Sequence, residues 1–446
     1  MPRILYSALF YLLLPCFFLR LVLRGLRVPA QMERWPQRFG FVPWLDRHQP
    51  TLWVHSVSVG ETVAIAPLLN AFMQARPDCR IVVTNTTLTG AQQAKKIYGN
   101  KVIQLYAPYD LPGSVARFVQ RVQPTLAVMV ETELWPNMLA SCRAGAIPVF
   151  VANARLSDRS ARGYRRIGAL ATTMLDCLSQ VAAQTDADAR RFIALGLDPA
   201  RVTVTGTLKY DIELHHSDWQ QGQARRQHYL AGRPAPAHIL IAASTHRGED
   251  EQVLAAFASL RKSFPETLLI LAPRHPERFQ PVAELVEKRG FCMARLSESE
   301  PLRRTTEVLL ADTMGELMAL FASADIAFVG GSLIESGGHN PLEPAVCGLP
   351  VLMGPHVFNF AQVVQTLTAA GALQTVHNSA ELATCAQKLL ACQRTRQRRG
   401  EAARAVVNSN RGALQRQLDL LTDLLPGPVP LGTCSTVPDV LATKNV

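Results

Sequence analysis

The sequence predicts an α/β protein built as two successive open, mainly parallel sheets facing a cleft, preceded by an apolar N-terminal helix. Three observations carry that reading. Short apolar segments alternate with helical stretches, and the alternation runs twice. A polar segment over 211–236, with late turn signals at Gly232, Pro234 and Pro236, separates the two series. Residues 4–19 carry no charge, with Arg3 before them and Arg20, Arg24 and Arg27 behind. A chain of 446 residues suits two or three domains at about 150 residues each.

The sixteen uncharged residues would extend about 24 Å as a helix, short of a hydrocarbon core of about 30 Å. Continuation through Leu26 reaches a spanning length if Arg20 and Arg24 direct their charged ends outward. A cleaved secretory signal is the competing reading. It lacks a small-x-small cleavage site, and the positive charge lies mainly behind the apolar run. The expectation is therefore a membrane anchor over 1–27, either spanning or dipping, with the body on the cytoplasmic side. Seven Arg against two acidic residues in the first fifty positions also favour contact with anionic lipid.

The first series places strands at 51–54, 79–84, 102–106, 126–130, 148–152, 180–184 and 201–205, with helices after Gly60-Glu61 and at 91–98, 114–122, 136–143 and 169–179. The rhythm restarts after 236, with strands at 238–243, 267–272, 306–311, 326–329 and 351–353 and helices between them. Residues 382–425 read as mostly helical, with the Arg-rich run 394–399 on a solvated face. The Pro-containing remainder reads as a loose tail. The expected domains are 28–210, an interdomain connection or an insertion around a helix over 211–236, a second domain 237–427 and a tail 428–446.

Lys and Arg total 46 against 35 acidic residues, a formal charge of +11. That suits phosphorylated molecules or anionic lipid. With 7% aromatics and no interleaving of basic and aromatic residues, nucleic acid is not an expected partner. The nine cysteines include no CxxC pair, which argues against a disulfide framework or a zinc cluster. His55, His246, His275 and His339 lack metal-ligand spacing, and neither HExxH nor GxSxG occurs. A transfer without metal or cofactor, in which cations and helix ends stabilise a leaving group, is expected.

Polar, Gly-containing sequence follows several strands, where open α/β sheets bind ligands. In His55-Ser56-Val57-Ser58-Val59-Gly60-Glu61, Ser58 and Gly60 sit where free N–H groups favour an anion. Glu61 is either a residue satisfying the helix dipole or a general base. Glu131 and Glu133, before a Pro-started helix, can serve substrate hydroxyls or simply cap that helix. In the second half, Arg274-His275, Gly315-Glu316, Gly330-Gly331-Ser332 and Gly337-Gly338-His339-Asn340-Pro341-Leu342-Glu343-Pro344 end strands or open helices. Arg274 can neutralise a phosphate and Glu343 can accept ribose hydroxyls, so this half reads as a nucleotide site. It contains neither a P-loop nor GxGxxG.

The first of these blocks, Glu131-Thr132-Glu133-Leu134-Trp135-Pro136-Asn137, Gly206-Thr207-Leu208-Lys209-Tyr210-Asp211 and the Gly337–Pro344 block, in this order, closely resemble the 3-deoxy-D-manno-octulosonic acid (Kdo) transferases of lipopolysaccharide synthesis. The resemblance covers nearly the whole chain. It implies a glycosyltransferase B-type fold of two Rossmann-like domains and inverting transfer of Kdo from CMP-Kdo. The implied acceptor is the tetraacylated lipid A precursor, lipid IVA, at the cytoplasmic face of the inner membrane. It implies Glu61 as general base, with Ser58 and Gly60 in its loop. Glu131, Glu133 and Lys209 would serve the acceptor side or support the transition state. Arg274, His275, Gly315, Glu316, Asn340 and Glu343 would face CMP-Kdo. No obligate protein partner is implied.

Overall fold

The computed structural model describes residues 2–27, 34–298, 302–425 and 427. The expected tail over 428–446 lies outside them. The chain divides into two compact units, Met1–Leu208 with Gly412–Val446, and Lys209–Arg411.

In the first unit the strands are β1 (Thr51–His55), β2 (Arg80–Asn85), β3 (Ile103–Tyr106), β4 (Leu126–Val130), β5 (Val149–Ala154), β6 (Gln180–Ala183) and β7 (Val202–Val204). They form a parallel sheet ordered β3-β2-β1-β4-β5-β6-β7. The central strands β1 and β4 are wholly buried, β4 apolar throughout and β1 apolar between Thr51 and His55, as a sheet covered by helices on both faces requires. Connections run one way from β1 and the other way from β4. The strand order therefore reverses between them, and a crevice opens at their carboxyl ends.

The second unit holds β8 (Ile239–Thr245), β9 (Leu268–Pro273), β10 (Met293–Arg295), β11 (Val308–Leu310), β12 (Ile326–Val329), β13 (Val351–Met353) and β14 (Leu373–Thr375). The order is β10-β11-β9-β8-β12-β13-β14, again parallel, with the reversal between β8 and β12. Two such α/β units are consistent with the B-type glycosyltransferase fold.

Two parts of the expected layout differ. The polar segment after Asp211 follows the helical one of its two expected readings and joins the second domain: its helix His216–Leu230 belongs to the second unit and packs on the helix Leu317–Ser323. A Cβ at Gly222 would lie 2.5 Å from that of Ala322, so only glycine lets the two helices approach this closely. Arg226 adds a two-pronged pair to Asp325, at 3.0 and 3.1 Å. The last helix, Ala413–Asp423, falls in the first unit rather than the second, where Gln417 accepts the N–H of Asn153 at 3.0 Å.

The expected anchor also needs correction. Residues Pro2–Arg27 do form a helix, but among the described residues no helix is long and apolar enough to cross a membrane. The uncharged run of sixteen residues falls short of the roughly 20 a span requires. One side of the helix instead lies on the first unit. Tyr6 packs against its core and hydrogen-bonds to Asp110, and Ser7 donates to Asn137 Oδ1 at 3.1 Å. The membrane anchor, and the inner-membrane placement that rested on it, do not stand.

Candidate active site

In the first unit the candidate residues gather around the reversal between β1 and β4. The chain leaves β1 at His55 and enters the helix Val59–Ala75 with Ser58 as its cap. Glu61 turns back over this entry. Its Oε2 accepts the N–H of Val57 at 2.7 Å and its Oε1 accepts the Ser58 hydroxyl at 2.8 Å. Ser58 Oγ in turn accepts the Glu61 N–H at 3.4 Å, a reciprocal arrangement of the capping-box kind. Gly60 stands in open space: a Cβ there would meet nothing nearer than Ser58 Oγ at 3.8 Å.

Glu61 is only 9% exposed, and burial pushes its carboxyl up to about 7 against the pull of these two hydrogen bonds. The charges of Glu133 and Glu131 push the same way. Glu131, the residue after β4, lies in the left-handed region at φ 58°, an unusual conformation for a residue with a side chain. Glu133 accepts the Trp135 indole N–H at 3.0 Å, and burial raises its carboxyl as well. The structure thus brings Ser58, Gly60, Glu61, Glu131 and Glu133 to one end of one sheet.

Beside them is a largely apolar cavity of about 360 Å³, lined by Phe10, Arg38, His55, Val57, Tyr109 and Trp135 among others. The N-terminal helix supplies one wall through Phe10. His55 is 1% exposed and held at about 4 by burial, so its imidazole is neutral at pH 7.

In the second unit, Arg274 and His275 follow β9 and are exposed. His275 meets His246 edge to face at 5.5 Å, and His246 Nε2 lies 2.7 Å from His339 Nε2. Burial and the charges of His246, Arg274 and His275 lower His339 to about 4. Asn340 donates to Glu343 Oε1 at 3.3 Å while its own Oδ1 accepts the Leu342 N–H at 3.1 Å. Burial raises the Glu343 carboxyl, and the Asn340 bond and the Arg274 charge oppose that rise. Arg274, His275, Asn340 and Glu343 therefore share one neighbourhood.

Lys209 and Glu316 are engaged elsewhere. Lys209 begins the second unit, donating to Asn359 O at 3.2 Å with its ammonium 4.9 Å over the Phe360 ring. Glu316 accepts from Thr313 and Arg225, bonds that hold its carboxyl below the usual range. Gly315 adopts φ 90° with nothing within 4 Å of a Cβ, so its backbone rather than its packing calls for glycine.

Sequence reasoning passed over Asp110, which is 3% exposed and accepts the N–H groups of Asn137 at 3.0 Å and Met138 at 2.8 Å at the start of the helix Pro136–Ala144. It also passed over Glu249, a fully buried carboxylate beneath the His246–His339 pair. No local motif marks either residue, because Asp110 meets the Asn137 and Met138 N–H groups, and Glu249 three of its four, only across the sheet. Among the described residues, no group of three or more His, Cys, Asp or Glu could hold a metal ion.

Comparison with known proteins identifies the family. The profile of the 3-deoxy-D-manno-octulosonic-acid transferase family matches residues 33–212, and that of the group 1 glycosyl transferases matches 241–406. The 3-deoxy-D-manno-octulosonic acid transferase of Haemophilus influenzae is 39% identical over 427 residues, 95% of this chain and 99% of that protein. The transferase of the same name from Bordetella pertussis is 36% identical over 441 residues, 95% of this chain and all of that protein. Among solved structures, the UDP-GlcNAc 2-epimerase of Neisseria meningitidis bound to UDP-GlcNAc superimposes with a TM-score of 0.53 at 12% identity, covering 84% of this chain and 99% of that one. That likeness concerns the fold alone. The identity and coverage of the two transferases leave one assignment: the chain belongs to the Kdo transferase family of glycosyltransferases, which use CMP-Kdo as donor and a lipid A precursor as acceptor.

Proposed function

We propose that this Kdo transferase delivers the sugar from CMP-Kdo to the tetraacylated disaccharide bisphosphate, lipid IVA, with Glu61 as the general base. The observation that carries the reading is the Glu61 carboxyl itself. It is fixed by Val57 and Ser58, nearly buried, and raised to about 7, close to the pH at which it would work. Each of its oxygens has a lone pair left after those bonds.

The acceptor hydroxyl has a pKa far above neutrality and needs a base as it attacks. Its proton passes to Glu61 while its oxygen bonds to the anomeric carbon of Kdo. The bond from that carbon to the CMP phosphate oxygen breaks, and the electron pair leaves with CMP. Attack from the face opposite the leaving group inverts the carbon. Glu131 and Glu133 keep the base strong by their charge and are suited to accept acceptor hydroxyls. Gly60 leaves the approach to Glu61 clear of side chain.

On the donor side, Arg274 offers an exposed cation for the phosphate, which gains charge as it departs. Asn340 and Glu343 would hold the ribose hydroxyls, and His275 would border the phosphate. Gly315 would give the donor backbone access, whereas Glu316 supports the helix behind it.

Glu61→Gln tests the assignment. The substitution keeps size and one acceptor oxygen for the Val57 N–H, with an N–H₂ that can donate to Ser58 Oγ instead, but it cannot take a proton. Turnover should be lost while CMP still binds. Normal turnover by that variant would exclude Glu61 as the base.

A further inference from the structure

The reversal between β8 and β12 is the crevice where a parallel sheet usually receives a ligand's phosphate on backbone N–H groups. Here a protein carboxylate occupies it. Glu249 is 0% exposed. Its Oε1 accepts the N–H groups of Ser332 and Leu333, each at 2.9 Å, and its Oε2 accepts those of Gly331 at 2.7 Å and His246 at 3.0 Å. The two oxygens thus carry four backbone bonds, which fills their accepting capacity.

These bonds tie the end of β8 to the loop after β12, and that loop bears directly on the histidine pair. Gly331 O accepts the N–H of Gly338 at 2.7 Å, and Gly330 O accepts that of His339 at 3.1 Å. The fit has no slack. A Cβ at Gly330 would come within 2.5 Å of Ser244 O, and one at Gly331 within 2.9 Å of His339 Cδ2. Glu249 therefore fixes His246 through its backbone from one side and His339 through the loop from the other. The pair meets at 2.7 Å, with His275 on its edge and Asn340 next in the chain.

We propose that Glu249 is a positioning residue for the donor: it fills the anion nest at the β8–β12 reversal and so holds His246, His339 and Asn340 in the arrangement that receives CMP. Two consequences follow. The Gly330–Leu333 backbone does not serve the donor phosphate, since its N–H groups are taken and the buried charge repels a second anion. The phosphate is left to side-chain cations, among them the exposed Arg274. This inference rests on the donor assignment made above and adds a residue to it.

The test is calorimetric titration of CMP into the full chain, with product formation measured in parallel. Wild-type protein that failed to bind CMP would overturn the donor assignment itself, so that failure is distinct from failure of the role given to Glu249. Given wild-type binding, Glu249→Ala should weaken CMP at least tenfold and raise the donor KM, with the acceptor KM within about twofold. Added propionate should restore part of the affinity by re-entering the nest. Glu249→Gln turns an N–H₂ toward backbone donors and should weaken CMP similarly without rescue. His246→Ala leaves the carboxylate in place and removes the group it orients, and should also weaken CMP. Wild-type CMP affinity in a folded Glu249→Ala or Glu249→Gln protein overturns the proposal. Should neither variant fold, unchanged CMP affinity in His246→Ala overturns it.

Discussion

Ser58 and Glu61 bind each other across the first turn of one helix: the Ser58 hydroxyl donates to Glu61 Oε1 at 2.8 Å and accepts the Glu61 N–H at 3.4 Å. An ordinary capping residue reaches no further than this. What separates Glu61 from a cap is its burial beside two other carboxylates, which leaves it basic near neutral pH.

The first prediction concerns activity against pH. A base raised to about 7 is protonated, and idle, below that value. The acid limb of kcat/KM should rise with unit slope and level off near pH 7. Ser58→Ala removes a bond that favours the charged form and should shift the limb upward. A limb that levels off near pH 4.5 would mean that Glu61 is not the group observed.

Stability should respond with the opposite sign. The folded pKa of Glu61 lies above its ordinary value of 4.5. Its contribution is therefore intact below about pH 4.5 and is lost as pH rises through about 7, where an ionised carboxylate stays buried. Glu61→Gln should match wild type near pH 4 and exceed it at pH 8 by about 1–3 kcal/mol, read from urea unfolding. Equal stability at both pH values would contradict the buried-charge account.

Arg274→Ala should weaken CMP by about tenfold or more and leave acceptor binding close to wild type. Glu343→Ala should weaken CMP too, and should narrow the preference for CMP over its 2′,3′-dideoxy analogue. Competition titrations measure both effects. Unchanged affinity in either variant would remove that residue from the donor site.

Asp110→Ala strips partners from the buried N–H groups of Asn137 and Met138 and from Tyr6 of the N-terminal helix. Unsatisfied buried donors of this kind cost about 1–3 kcal/mol each. A drop of about 2–4 kcal/mol in urea unfolding is expected. A loss below about 0.5 kcal/mol would show that the contact adds nothing to the first unit.

Much of this architecture could be read from the chain because apolar β-branched strands and Gly-bearing strand ends are local signals. β4, Leu126–Val130, and β12, Ile326–Val329, are continuous apolar runs flanked by polar sequence, and both lie where they were expected. β10 and β14 are three-residue strands at a sheet edge, too short for any periodicity to register. The helix His216–Leu230 could be read only as one of two alternatives, because Arg pairs and a close approach at Gly222 hold it, rather than an apolar stripe. The N-terminal helix misled for the converse reason: its apolar run looks like an anchor, while Tyr6 and Ser7, which dock it, are unremarkable in the sequence. The blocks to which the donor and base roles are assigned in the proposal were visible in the sequence. The carboxylate that organises one of them, Glu249, acts on residues more than eighty positions away.

The most direct measurement is mass spectrometry of the product formed by purified protein from freshly made CMP-Kdo and lipid IVA, with Glu61→Gln run alongside. The account predicts a mass gain of one or more Kdo units with wild type, in step with release of CMP, and none with the variant. No gain from folded wild-type protein that binds CMP would contradict lipid IVA as the acceptor, and an equal gain with Glu61→Gln would contradict the base.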